Sequence, residues 1–327
     1  MNKINIFVLK ALRKIYTQIF GSNQIKGLQR EEDPDIISEI IYNLLISDKP
    51  CMIARFGSTE MSAIINYLGV NSTHHSILKF ITGKTPEWWW NTNIMNQMQQ
   101  WSGFFPPTPE NMHRFGEMMI QDAQEVDLLG SWLKQEIFLD KYLKEASKIQ
   151  LMYLDPFWSQ KPWTRALEGK KILIVHPFAE TILSQYPKRD FLFPDKKILP
   201  TFKSIQTIKA VQSLGGESND FKDWFEALKF MKNEINKSDF DICLIGCGAY
   251  GFPLAAHVKR MGKKAIHMGG SLQLLFGIMG NRWDHDKPHY EKGTFIYYAG
   301  LENKYWVRPS LSERPTNHKS IENSCYW

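Results

Sequence analysis

The chain has 327 residues, of which 43% are hydrophobic and 23% are charged, a composition typical of a globular protein with a substantial core. Its 40 Lys and Arg exceed its 34 Asp and Glu by 6, and such a modest excess without a clustered basic stripe argues against nucleic acid as the main partner. Four cysteines without zinc-site spacing exclude a disulfide framework and indicate a reducing, cytoplasmic environment.

The first segment, residues 1–30, is predicted to be an amphipathic helix followed by a linker. Basic residues interrupt its apolar run, so it is too polar to span a membrane. We expect its apolar face to pack on the body of the protein, and the alternative is that it lies on an anionic membrane surface. The apolar residues at helical spacing are Ile4, Val8, Leu12, Ile15 and Ile19.

The next elements predict the start of an α/β unit. Residues 36–45 have helical apolar spacing, residues 51–56 form an apolar run of strand length, and residues 58–69 return to a helical pattern. A helical insertion rich in Trp and Met is predicted at about residues 70–126. Within it, Thr108 is expected to cap a helix that begins at Pro109.

The second half predicts a doubly wound, mostly parallel, Rossmann-like sheet. Its short apolar segments are each of strand length, and several are followed by helical patterns. We expect residues 31–327 to form one α/β body that contains the helical insertion, with a split into two domains near residues 126–150 as the alternative. Ligands of such sheets bind outside the carboxyl ends of the strands. The predicted strands are residues 151–154, 171–175, 241–245 and 264–267.

A glycine-rich turn follows the strand at 241–245. Gly246, Gly248 and Gly251 match the spacing of a dinucleotide-binding turn, and a helix is predicted at about residues 253–261. Backbone amides of such a turn can bind phosphate, whereas the simpler interpretation is a tight turn that needs small residues. No acidic residue ends the following strand to hold a ribose, which weakens a nicotinamide assignment.

Two further strand ends carry polar groups. Gly269 and Gly270 follow the strand at 264–267, and a helix start near Gln273 is expected to face the same edge of the sheet. Arg55 and Glu60 flank the end of the strand at 51–56. One interpretation of Glu60 is that the start of its helix stabilises its charge. The other is that Glu60 binds a metal or a sugar hydroxyl or acts as a base. In the second interpretation Arg55 is either the partner of Glu60 or a phosphate ligand.

The motif Arg-Phe-Gly-x-x-Glu over residues 55–60, combined with the turn at Gly246 and the strand end at residues 265–270, resembles bacterial polysaccharide-cluster proteins related to the GT-D type glycosyltransferases. In that family the early motif reads Arg-Phe-Gly-Asp-Gly-Glu, and its carboxylates engage the metal and the nucleotide-sugar donor. The resemblance assigns the final acid to Glu60. Ser58 stands where the first acid is expected, and a hydroxyl is a poorer ligand than a carboxylate for the Mn²⁺ or Mg²⁺ that the resemblance implies.

Together these patterns favour a glycosyltransferase that moves a sugar from a nucleotide-sugar donor to a glycan or lipid-linked glycan in surface polysaccharide biosynthesis. The alternatives are a nucleotide-dependent oxidoreductase and a non-catalytic glycan-assembly component. The predicted catalytic residues are Glu60, also the predicted metal ligand, and His176 and His267 as candidate general bases. The predicted nucleotide or phosphate ligands are Arg55, Gly57, Ser58, Gly246, Gly248, Tyr250, Gly269, Gly270, Gln273 and Arg282.

Overall fold

The computed structural model describes residues 3–21, 27–213, 220–285, 287–291, 293–315 and 324–327. Residues 1–2 and 22–26 of the predicted N-terminal helix and linker lie outside the described residues. The strands are β1 Cys51–Ala54, β2 Leu128–Ser131, β3 Ser147–Gln150, β4 Lys171–His176, β5 Ser204–Lys209, β6 Ile242–Ile245, β7 Lys264–His267, β8 His289–Glu291 and β9 Thr294–Ile296. The helices are α1 Lys3–Phe20, α2 Pro34–Ile46, α3 Ser58–Val70, α4 Ile77–Ile81, α5 Thr92–Ser102, α6 Pro109–Ala123, α7 Ala179–Gln185, α8 Arg189–Leu192, α9 Trp224–Lys237, α10 Gly251–Arg260, α11 Leu272–Leu275 and α12 Asn281–Asp284.

A seven-stranded sheet in the order β3-β2-β1-β7-β6-β4-β5 forms the centre of the molecule, and all its neighbouring strands are parallel. β1 pairs with β7 in the register that sets Cys51 opposite Lys264. The strands of the first and second halves of the chain therefore share one sheet.

Both faces of this sheet are buried, which explains the continuous apolar runs of its central strands. On β4, Leu173 and Val175 belong to one core cluster, whereas Ile172 and Ile174 belong to the other. Helices α3, α6, α9 and α10 contribute to the first cluster, and α2, α7 and α11 contribute to the second. The α/β class and the Rossmann-like parallel sheet predicted from the sequence are thus confirmed.

One predicted strand, at residues 151–154, is wrong, and β2, β3, β5, β8 and β9 were not predicted. Leu151–Leu154 forms a short 3₁₀ helix directly after β3, so its apolar run fills the core without joining the sheet. β2 is only four residues long and contains a glycine, while β5 is an edge strand whose residues are exposed or partly buried. Neither therefore carries the strong apolar pattern of a central strand.

Side chains cap the N-terminal ends of two helices, as local chemistry predicts. The Asp33 side chain accepts hydrogen bonds from the first backbone amides of α2, and Thr108 accepts one from the backbone amide of Asn111 at 3.3 Å. Pro109 is the first residue of α6, as expected. These caps satisfy amides that have no partner within a helix.

The apolar stripe of α1 faces solvent rather than the body of the protein. Leu9 is buried with Phe80 and Trp89, and the contact between α1 and α4 lies on that side. α1 therefore packs on the body as expected, but through Leu9 and not through the predicted apolar stripe. No helix in the described part of the chain is long and apolar enough to cross a membrane. The exposed stripe consists of Ile4 (69% exposed), Val8 (47%), Leu12 (42%), Ile15 (51%) and Ile19 (67%).

Candidate functional site

A cavity opens at the carboxyl ends of the strands, where the direction of the strand order changes. From β4 the chain runs through α7 to β5 at one edge, and from β6 it runs through α10 to β7 in the opposite direction. Because α7 and α10 lie on opposite faces of the sheet, a crevice forms between the ends of β4 and β6. This space, the first cavity, has a volume of about 390 Å³ and is lined from the ends of β1, β2, β4, β5, β6 and β7.

Arg55 directly follows β1 and lines the first cavity. Its guanidinium lies over the Trp132 ring, 5.2 Å from the ring centroid. Burial lowers the pKa of Arg55, while the Glu60 carboxylate acts in the opposite direction. Among the described residues, none makes a hydrogen bond or ion pair with this guanidinium. A partly desolvated cation without such a partner favours an anionic ligand.

Glu60 lies in the first turn of α3 and is 9% exposed. Its carboxylate folds back over Gly57, so a Cβ at position 57 would overlap it. Glycine is therefore required at 57 as long as Glu60 keeps this position. The start of α3 stabilises the negative charge, and Glu60 also lines the first cavity, so the two interpretations of this residue are compatible. Ser58, the first residue of α3, is exposed beside it.

The two predicted glycine turns meet at the base of the first cavity. A Cβ at Gly246 would lie 2.5 Å from the Gly269 carbonyl oxygen, so the two backbones approach closely. Gly248 and Gly269 have φ values of +54° and +72°, which favour glycine at both positions. A Cβ at Gly270 would overlap the Tyr326 ring. The turns are thus built on glycine, and they line the cavity that the sequence predicted at this edge.

The two candidate bases are neutral and differ in their tautomers. Burial lowers the pKa of His176 and His267 to about 3, and the positive charge of Arg55 adds to the effect at His267. His176 Nδ1 accepts a hydrogen bond from the Phe178 amide at 3.0 Å, so its proton lies on Nε2. His267 Nδ1 lies 3.3 Å from the Ile245 carbonyl and donates to it, which leaves Nε2 as an acceptor. His176 can therefore donate a hydrogen bond, which argues against its predicted role as general base.

Tyr250 and Gln273 hold the walls of the first cavity. The Tyr250 ring stacks on Trp224 with centroids 4.9 Å apart, and its hydroxyl lies 3.3 Å from Ser213 Oγ. Gln273 is fully buried and donates to the carbonyls of Ile278 and Tyr326. These contacts position the loop after β6 and the C-terminal residues, so we assign both side chains a supporting role.

Arg282 lies at the exposed rim of the first cavity. Its guanidinium is 4.8 Å from the centroid of the Tyr326 ring, and its backbone amide donates to the Cys325 carbonyl at 2.8 Å. The structure therefore brings Arg55 and Arg282 to one cavity, as the phosphate-binding prediction requires. The neighbouring Trp283 is 7% exposed and belongs to the core.

Sequence reasoning missed the aromatic rings that border this cavity. Trp101 and Trp132 both line it and are 40% and 39% exposed. Trp132 Nε1 donates to the Phe56 carbonyl at 2.9 Å, which fixes the ring beside Arg55. Trp132 directly follows β2, a strand that was not predicted, and Trp101 lies in the last turn of α5. Asp155, which lines an adjoining cavity, directly follows the predicted strand at 151–154 and was not singled out.

The described residues do not form a protein cage for a divalent cation. Glu60 is the single carboxylate among the described residues that line the first cavity. No group of three or more metal-ligating side chains was found in the described ranges. A divalent cation held here by Glu60 would take its other oxygen ligands from water and from the phosphates of a bound nucleotide.

Comparison of the chain with protein-family models, with curated proteins and with solved structures found no match.

Proposed function

We propose that the protein is a glycosyltransferase that takes a sugar from a nucleotide-sugar donor and adds it to a glycan or lipid-linked glycan in surface polysaccharide biosynthesis. The observation that carries this proposal is the meeting of Arg55, Arg282 and two glycine turns in one cavity at the switch point of the sheet. Two cations and closely approaching backbone suit a diphosphate, whose oxygens accept hydrogen bonds from guanidinium and amide groups.

Each group in the first cavity has a role in this proposal. Arg55 binds the diphosphate from within the cavity and Arg282 binds it from the rim. Glu60 accepts a hydrogen bond from a sugar hydroxyl, and His176 donates one through Nε2. The half-exposed rings of Trp101 and Trp132 offer flat apolar surfaces for the base or the sugar.

The first test is a thermal-shift panel with UDP, GDP, CDP and their hexoses, with NADH and NADPH as controls. A ligand at 100 times its Kd should stabilise the fold by about 2.7 kcal/mol. We expect a shift with one family of nucleotide sugars. A shift with NAD(P)H alone would instead indicate the oxidoreductase, and no shift with any ligand would favour a non-catalytic assembly component.

Glu60→Ala tests the site itself. We expect this variant to lose transfer and keep its unfolding midpoint within a few degrees, because the helix-start charge contributes only about 0.3–1 kcal/mol. Glu226→Ala is a matched control, since Glu226 holds the same third position in α9 and does not line the first cavity. Full transfer activity in Glu60→Ala would refute the assignment.

We also propose that the protein is cytoplasmic and contacts an anionic membrane surface through α1. The helix contains Lys10, Arg13 and Lys14 and no acidic residue, while its apolar stripe is exposed. The adjoining α4 adds Ile77 and Leu78, which are 59% and 71% exposed. This combination of basic and apolar groups is typical of helices that lie in the lipid headgroup region.

Sedimentation with lipid vesicles tests this location. We expect binding to vesicles that contain phosphatidylglycerol, weaker binding to pure phosphatidylcholine, and a fall in binding with added salt. Ile15→Glu should reduce the bound fraction strongly, whereas Ile36→Glu, on the equally exposed Ile36 of α2, should not. Equal loss in both variants, or concentration-dependent dimerisation without vesicle binding, would contradict a membrane contact.

A further inference from the structure

A second cavity, of about 440 Å³, adjoins the first. The two share Arg55, Trp132, Arg282 and Tyr326 in their linings, so these side chains stand between them. The second cavity also has aromatic walls, to which Trp283 and Tyr298 contribute. Aromatic faces of this kind pack well against the apolar faces of sugar rings.

Asp155 is the single carboxylate among the described residues that line the second cavity. It follows the short helix Leu151–Leu154 and is 7% exposed. The Tyr298 hydroxyl donates to its Oδ2 at 2.7 Å. Burial raises the pKa of Asp155 to about 6, against the lowering effects of Ser271, Tyr298 and Arg55. None of the functions assigned above uses this group.

Gln150 provides a second polar group in the second cavity. Its side chain is buried, with 8% exposure, and its Nε2 donates to Glu291 Oε1 at 3.0 Å. Its Oε1 is buried without a hydrogen-bond partner among the described residues. Gln150 and Asp155 therefore give the second cavity polar as well as aromatic walls, a combination typical of small-molecule sites.

We propose that the second cavity binds the acceptor glycan and that Asp155 removes the proton from its attacking hydroxyl. This inference rests on the proposed transferase function. The acceptor oxygen forms a bond to the anomeric carbon of the donor sugar while the bond from that carbon to the diphosphate breaks. The bonding pair leaves with the diphosphate toward Arg55, and the hydroxyl proton moves to an Asp155 oxygen, so atoms and charges balance.

The arrangement of the two cavities predicts the stereochemistry of the product. The leaving group occupies the first cavity and the acceptor reaches the anomeric carbon from the second, and the two cavities share Arg55 and Trp132 in their linings. Attack from the side opposite the leaving group inverts the configuration at the anomeric carbon. An inverting transferase needs one general base near the acceptor, and Asp155 supplies it, whereas the pKa of each buried histidine is too low for an effective base.

The test compares wild type with Asp155→Asn and Tyr298→Phe, using the UDP-, GDP- or CDP-hexose that shifts the unfolding midpoint. Release of the nucleoside diphosphate is measured with water and with added glycan as acceptors. We expect Asp155→Asn to lower the turnover rate at least 100-fold while the thermal shift by the nucleotide stays unchanged, because general base catalysis typically contributes 10²–10⁴-fold.

The pH profile separates a catalytic role from a structural one. The charged and titratable groups that face Asp155 in the second cavity are Arg30, Arg55, Arg282, Tyr298 and Tyr326. Turnover by the wild type should rise with pH and level off above about 6, as the Asp155 carboxyl ionises. Tyr298→Phe should move this rise to higher pH, because it removes a hydrogen bond that stabilises the carboxylate.

Four outcomes would overturn the inference. Asp155→Asn turnover within threefold of wild type, or a product of retained configuration by NMR, would refute the role of Asp155 while leaving the transferase proposal intact. If Asp155→Asn does not fold, an unchanged pH profile in Tyr298→Phe would refute it in the same way. Absence of any nucleotide binding by the wild type would instead refute the transferase and this inference together.

Discussion

Replacing Arg55 with Met should stabilise the free protein and weaken nucleotide binding at the same time. The Arg55 guanidinium is partly desolvated, and its pKa is lowered chiefly by burial. Its favourable contacts among the described residues are the Trp132 ring at 5.2 Å and the nearby charge of Glu60. A methionine fills similar volume and carries no desolvation cost.

The magnitude follows from opposing terms. Burying a charge costs several kcal/mol, whereas the cation–π contact contributes about 0.5–2 kcal/mol and the attraction of Glu60 up to about 1 kcal/mol, so we expect a net gain of about 1–3 kcal/mol in the unfolding free energy. At about 2 °C per kcal/mol, the midpoint should rise by about 2–6 °C. Loss of a charge-assisted hydrogen bond to the diphosphate should weaken binding by about 1.5–3 kcal/mol, or about 10- to 150-fold in Kd.

Urea unfolding and calorimetric titration with the selected nucleoside diphosphate would measure both effects. Arg260→Met is the matched control, because Arg260 pairs with the buried Asp122 at 2.6 Å and with Glu125 at 3.0 Å, away from the first cavity. We expect this control to destabilise the fold by about 1–3 kcal/mol, because it leaves the buried Asp122 carboxylate without its partner while Arg260 itself is 42% exposed, and to leave nucleotide affinity unchanged. An Arg55→Met variant that unfolds more easily and binds nucleotide normally would refute the reasoning.

Three further predictions test the surroundings of the site. Gly251→Ala would push a methyl group into the His267 ring and should lower the unfolding free energy, measured in urea, by about 1–3 kcal/mol. A methyl group at Gly27 meets nothing within 4 Å, so Gly27→Ala should be nearly neutral. Equal unfolding midpoints for the two variants would contradict this packing. The pKa of His176 is depressed to about 3. Between about pH 3 and 6.5 the unfolded state therefore binds one more proton than the folded state. The contribution of His176 to the unfolding free energy is lost as the pH falls through that window. His176→Asn should therefore reduce the pH slope of the unfolding free energy by about 1.4 kcal/mol per pH unit between pH 4 and 6, and an unchanged slope would show that the imidazole is solvated. Glu313→Gln should lower the unfolding free energy by about 1–2 kcal/mol because the Glu313 carboxylate accepts two backbone amides at the start of α7, at 2.7 and 3.2 Å; an unaltered midpoint would rule out this cap.

Local chemistry made much of the sheet predictable from the sequence. The apolar runs behind β1, β4, β6 and β7 are recognisable because these strands are buried on both faces, and such strands need continuous apolar residues. The cap at Thr108 was predictable for a similar reason, because a hydroxyl next to a proline acts on amides within one turn.

The candidate site was only partly predictable. The glycine turns and Arg55 follow recognised strands, so the rule that ligands bind at strand ends brought them together correctly. Trp132 could not be found in this way because β2 was not predicted, whereas Asp155 directly follows residues 151–154, which were predicted as a strand, and was not recognised as a candidate.

The tertiary structure alone decided which groups are solvated and which neighbours they meet. The periodicity of α1 shows that the helix has an apolar stripe, but not whether protein or solvent covers it, since that depends on the packing of Leu9 against α4. Likewise, histidine was a reasonable choice of base from its ordinary pKa, but burial lowers the pKa of His176 and His267 and raises that of Asp155. Desolvation depends on residues distant in the chain, and it acts in opposite directions on the pKa of a cation and of a carboxyl group.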